Sequence, residues 1–232
     1  MRKLISLTVI LLTSSNILAS QEDLYDFLWL DPDKSVYVLQ KKMYEKKRTF
    51  YLNAGYLKNM SSDFQSTAGF NLEFGYFFKE DWGLELMYNS YSNSNNDSFE
   101  NIKKINGQEP FVRKPISNMA LMFTWSPFYG KVNTFNKIYY FDWSFGVGVA
   151  KLETESNANT VANSATQEQY ESESYTGAVL KTNLKFYVTQ RMHVEIDFMS
   201  TIYNAPGPKI NDQQTEGMTT NSDLVFSVGF SF

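Results

Sequence analysis

The last ten residues, DLVFSVGFSF (223–232), place Leu224, Phe226, Val228, Phe230 and Phe232 at every second position. Val225, Ser227, Gly229 and Ser231 stand between them. A period of two belongs to a strand with two unlike faces. One face here is wholly apolar, so the strand must lie against something apolar along its whole length.

The same alternation recurs upstream. TFYLNAGYLKN (49–59) sets Phe50, Leu52, Ala54 and Tyr56 against Tyr51, Asn53 and Gly55. TAGFNLEFGYFFK (67–79) sets Phe70, Leu72 and Phe74 against Asn71, Glu73 and Gly75. DWGLELMYNS (81–90) sets Trp82, Leu84, Leu86 and Tyr88 against Gly83, Glu85 and Asn89. SNMALMFTW (117–125), KIYYFDWSFGVGVA (137–150), TGAVLKTNLKFYV (176–188) and HVEIDFMSTIY (193–203) follow the same rule, so the spacing predicts eight strands. Each is about 9–13 residues long, enough to cross a bilayer at a tilt.

Short and long connections alternate. Lys79–Asp81, SPFYGKVNTFN (126–136) and Thr189–Arg191 are the shorter links. Lys58–Ser66, Ser92–Lys114, Glu153–Ser174 and Asn204–Asn221 are mostly longer and polar. This is the pattern of an all-β, eight-stranded antiparallel up-and-down transmembrane barrel, with short periplasmic turns, long external loops and both termini periplasmic. The face of Gly, Asn, Ser, Glu, Asp and Lys suits a crowded polar lumen, and the aromatic face suits lipid. Trp82, Trp125, Tyr139, Tyr88 and Tyr203 are candidates for the aromatic girdle. A secreted lipocalin-like barrel, with the apolar face inward, is the alternative.

Composition agrees. The 232 residues are 16% aromatic, with 15 Tyr and 19 Phe, and there is no Cys, so no disulfide framework and no thiol nucleophile. The net charge of −4 argues against nucleic acid as a partner.

Residues 1–20 read as a signal peptide, with Arg2 and Lys3 before the short apolar run LISLTVILL and cleavage near Ala19 or Ser20. Without Arg2 and Lys3, 19 basic residues face 25 acidic ones, a net charge of about −6. Residues 21–47 form a short periplasmic N-terminal segment ahead of a barrel at 48–232. Lys41, Lys42, Lys46, Lys47 and Arg48 cluster at its end. That cluster is either solvated, or packed under the barrel floor, or set against anionic head groups.

Leu30, Asp31, Asp33, Lys34, the run Val36–Gln40, Lys42, Tyr44 and Arg48 resemble the opening of the outer membrane beta-barrel domain family of myxobacterial and other delta-type bacteria. Trp82-Gly83-Leu84-Glu85 resembles that family's third strand. The resemblance implies a fold and no assigned chemistry. A strand ending in Phe230 and Phe232 also looks like the signal read by the barrel assembly machinery.

Glu73, Glu85, Asp142, Lys181, Lys185, His193, Glu195 and Asp197 all fall on the polar face and are predicted to form a structural charge network in the lumen. A hairpin symmetric about Gln190 puts Tyr187 opposite His193, Lys185 opposite Glu195 and Asn183 opposite Asp197. His193 with Ser144 and a carboxylate could serve a barrel enzyme acting on envelope lipid, but no catalytic residue, metal site or cofactor is assigned. A single His and no Cys argue against metal. Eight strands are too few for a wide pore, leaving a narrow solute channel as a further alternative. The loops Ser92–Lys114 and Glu153–Ser174 are expected to be mobile polar coil. The reading is a structural, surface-display or interaction role in the envelope, with outer-membrane lipid and an unidentified surface or periplasmic protein as partners.

Overall fold

Along Thr49–Asn59, Phe50, Leu52 and Tyr56 are exposed, while Tyr51, Asn53 and Leu57 are buried. The apolar face therefore points outward and the mixed face inward, the reverse of a soluble barrel. The structure is a computed structural model that describes residues 42–232 except 108, 135–136, 159–160, 162–169 and 211–212. The expectations for residues 1–20 and 21–41 lie outside the described residues, as does the middle of the Glu153–Ser174 stretch.

Residues 42–232 form one unit. Its elements are β1 (Thr49–Asn59), β2 (Gln65–Phe77), β3 (Trp82–Asn95), α1 (Asp97–Asn106), β4 (Arg113–Thr134), β5 (Lys137–Ser156), β6 (Glu171–Tyr187), β7 (Met192–Ile210) and β8 (Gln213–Ser231). Each strand pairs antiparallel with the next, and β8 returns to β1, closing the ring. At the seam, the Phe50 amide donates to the Phe232 carbonyl and the Phe232 amide to the Phe50 carbonyl, both at 2.9 Å. Closure leaves no unpaired edge, which a strand structure in lipid requires.

Both short turns are tight. Phe78 and Val188 donate to the carbonyls of Trp82 and Met192 at 3.1 and 3.0 Å. The β6–β7 register pairs Tyr187 with His193, Lys185 with Glu195 and Asn183 with Asp197. At Gly75, an added Cβ would lie 2.0 Å from the Tyr51 ring, so this position leaves room for an inward aromatic.

Three connections differ from the sequence reading. SPFYGKVNTFN is no loop: β4 and β5 continue to Thr134 and from Lys137, pairing from Phe128–Trp143 to Thr134–Lys137. The register shifts between Trp125 and Phe128. Pro127, which cannot donate to a ladder, sits in that bulge, where its missing donor costs nothing. Asn204–Asn221 is mostly strand, with a second shift between Pro206 and Lys209. Ser92–Lys114 holds α1 rather than coil. Asn96 caps it by accepting from the Phe99 amide at 3.0 Å. Asp97 and Glu100 occupy its first turn, Lys103 and Lys104 its last, and Gly107 ends it at φ 65°. Phe99 is 1% exposed and anchors the helix.

The outward belt carries Trp82 and Trp125, their rings 5.7 Å apart, with Tyr88 and Tyr139 exposed. Tyr203 is not a girdle residue: it is 6% exposed and packs inside with Leu152 and Ala205. Parity explains this, since Val194, Ile196 and Phe198 face outward and odd positions of β7 face inward.

Candidate functional site

The inward face of β1 samples the lumen in order. Tyr51 donates to Glu85 at 2.5 Å, and Asn53 donates to Glu73 at 3.1 Å. Leu57 joins an apolar cluster with Met87, Met122, Val179, Met199 and Val225. Asn59 donates to Asn221 and Asp223 at 2.8 and 2.7 Å. The lumen is thus an ionic layer, an apolar layer and an amide layer. A crowded polar lumen was expected from the sequence, and these apolar residues share the parity of the polar ones.

The eight residues of the predicted network are all buried. The Lys181 ammonium lies 2.8 Å from Glu73 and from Glu85 and 3.4 Å from Asp197. Lys185 lies 2.8 Å from Glu195 and 4.2 Å from the centre of the Tyr51 ring. Asn183, not foreseen as more than a register partner, donates to Glu195 at 2.6 Å and also to Asp197. Glu73, Glu195 and Asp197 bring carboxylate oxygens within 4.8 Å of one another, a spacing a cation could bridge. Lys181 already supplies a positive charge among them.

Asp142 stands apart from Lys181 and pairs with Lys46, whose ammonium lies 2.7 Å from Asp142 and donates to Ser126 at 2.7 Å. Tyr187 also donates to Asp142, at 2.5 Å. Burial pulls the Lys46 ammonium below its ordinary 10.5, and Asp142 offsets this only in part. Around it, Tyr44 stacks on Tyr187 at 4.4 Å, the Met43 amide donates to the Tyr129 hydroxyl, and Lys42 lies 3.1 Å from Asp81. Residues 42–48 therefore close the short-turn mouth. Sequence reading flagged the basic cluster without singling out Lys46; the nearest signal was an aspartate, Asp142, on the inward face with no assigned partner.

His193 is 1% exposed. Its Nε2 lies 2.8 Å from Asn53 Oδ1 and 3.1 Å from Glu195, and Nδ1 lies 3.4 Å from Ser231 Oγ. Ser144 is buried and paired in register with Asn183, and no hydrogen bond joins it to His193. A void bordered together by Glu85, Ser144, Lys181 and Asn183 is about 10 Å³, at most about one water. Phe230 and Phe232 are exposed beside the seam.

At the loop rim, Arg113 Nε donates to Glu173 at 2.9 Å, and Nη2 to Tyr175 and the Pro206 carbonyl at 3.5 and 2.7 Å. Burial raises the Glu173 carboxyl, but hydrogen bonds from Ser156, Arg113 and Tyr175 outweigh it and leave the group below its ordinary 4.5.

No family model matches the chain. No curated protein matches it either. Among solved structures it is similar to the N-terminal β-barrel domain of OprF from Pseudomonas aeruginosa, with a TM-score of 0.50 and 13% identity over 80% of this chain and 98% of that one. OprG of the same organism gives 0.49 and 13% over 83% and 99%. Neisserial surface protein A gives 0.45 and 12% over 78% and 95%. At such identity the likeness is one of fold. The chain has the closed eight-stranded antiparallel barrel fold of small outer-membrane proteins.

Proposed function

We propose that the protein sits in the outer membrane as a closed scaffold, with its termini and short turns in the periplasm and its long loops outside. Its role is structural or interactive: it displays loops on one side and holds the segment before β1 on the other. Outer-membrane lipid is the partner of the outward aromatic face, and the strand bearing Phe230 and Phe232 engages the barrel assembly machinery during biogenesis. The resemblance of residues 30–48 to the delta-type barrel family belongs to the same reading.

The observation that carries it is the filled lumen. Ion pairs around Lys181 and Lys185 and the apolar layer above them occupy the lumen, and the void beside the ion pairs is about 10 Å³. This weighs against the narrow channel. The catalytic alternative is weakened by the lack of contact between Ser144 and His193, and by Lys185 at 2.8 Å from the carboxylate that touches the imidazole. The test is planar-bilayer recording on refolded protein whose barrel is confirmed by heat-dependent gel mobility. The expected record is flat. Reproducible unitary steps would overturn the closed scaffold, and an altered envelope-lipid profile in His193→Gln would restore the enzyme.

A further inference from the structure

The outer wall of the barrel carries a recess of about 620 Å³, within the range of ligand sites. Its lining comes from neighbouring strands, β3 to β7. Four strand steps of about 4.8 Å make it roughly 19 Å across.

The register explains why the wall is hollow there. Outward positions fall into cross-strand rows. One row reads Trp82, Trp125, Phe145, Thr182 and Phe198. The next reads Phe123, Val147, Leu180, Ser200 and Ser222. On one side the rings stand close, Trp82 to Trp125 at 5.7 Å, Trp82 to Phe123 at 4.9 Å and Trp125 to Phe145 at 6.3 Å. Thr182 and Ser200 then put small side chains where their row neighbours are large, and Phe198 stands on the far side.

The floor decides the chemistry. Thr182 Oγ1 accepts from the Trp143 indole N–H at 2.8 Å, and Ser200 Oγ lies 2.8 Å from Ser222 Oγ. Both hydroxyls thus have a partner within the wall, as hydrocarbon surroundings demand. What faces the recess is ring, methyl and methylene surface. A second barrel does not fill such a place, because two barrels side by side meet convex against convex. A peptide strand needs an open sheet edge, and the closed ring has none.

We infer that this recess holds one acyl chain of a membrane lipid, seated there while lipid along the rest of the wall exchanges. The inference rests on the reading that the outward face meets lipid, and adds where on that face a chain stays.

The experiment uses tryptophan emission. The full chain, refolded in a zwitterionic detergent, carries Trp29→Phe, which leaves Trp82, Trp125 and Trp143, all lining the recess or bonded to its floor. The probe is phosphatidylcholine brominated in mid-chain, whose bromines quench an indole on contact. Quenching should rise steeply and saturate at about one brominated lipid per barrel, then climb slowly with the lipid's share of the micelle. Ser200→Phe and Thr182→Phe, which fill the floor, should abolish the saturable phase and keep the slow one. Heat-dependent gel mobility checks that each variant folds. Quenching that is proportional throughout in the parent overturns the inference while upholding the lipid-facing wall. A saturable phase that both variants keep overturns it as well. A parent dimer in sedimentation velocity that Ser200→Phe dissolves would assign the recess to a second copy instead. Folded protein with no quenching at all would sink the lipid-facing wall itself.

Discussion

Lys46, which precedes β1, places its ammonium 2.7 Å from Asp142 on β5, 96 positions further along the chain. The contact ties the segment at the short-turn mouth to the wall of the barrel. Asp142 is 1% exposed, so Lys46→Met strands a buried carboxylate with only Tyr187 and no cation. Loss of one partner of such a pair costs about 3–5 kcal/mol. Urea unfolding in phospholipid vesicles should register that loss, and trypsin should cut at Lys42 and Lys47 much faster than in the parent. Adding Asp142→Asn should recover most of the stability. Equal cleavage rates in parent and variant would show that the segment is not held.

Lys181 serves three carboxylates at once, Glu73, Glu85 and Asp197. Lys181→Met should therefore be among the most damaging single changes in the lumen, again about 3–5 kcal/mol by urea titration. Pairing it with Glu85→Gln should be less damaging than the sum of the two, because the pair removes a charge and its counter-charge together. A loss under about 1 kcal/mol, the size of a surface pair, would mean that these carboxylates do not carry full charge.

The loop rim gives a pH dependence. Glu173 is held below its ordinary 4.5 in the folded protein by Ser156, Arg113 and Tyr175. A carboxyl depressed on folding contributes stability that is fully present above its unfolded value and is lost as pH falls through the folded one. The melting temperature of the parent should exceed that of Glu173→Gln at pH 6, and the two should converge as pH falls through the depressed folded value and the carboxyl protonates. A constant gap down to acid pH would refute the ionic account.

The sequence made the barrel legible because an alternation of Phe50, Leu52 and Tyr56 with Asn53 and Gly55 has one physical meaning once eight such runs occur. It made the register of β6 and β7 legible because the turn is only Val188–Arg191. Strand ends were harder to place. Pro127 and Gly130 read as a break, whereas a bulge accommodates the proline and the strands run on to Thr134 and Lys137. Tyr203 was misplaced by favouring residue type over parity. The helix α1 carried readable signals, Asn96 followed by acid, then base, then Gly107, that low apolar content hid. The Lys46–Asp142 pair was not legible, since nothing local links residues on opposite sides of several strands.

That pair also dates itself in the folding of the chain. Its seat comprises Ser126 and Asp142, 80 and 96 positions away, with Tyr187 further still. No such seat exists until β4, β5 and β6 lie in register, and contacts this distant in sequence form late. Residues 42–48 are made early and must wait. Their docking signals that the far wall is built, and protection of this segment from protease would clock the alignment of β4, β5 and β6 rather than the start of the chain.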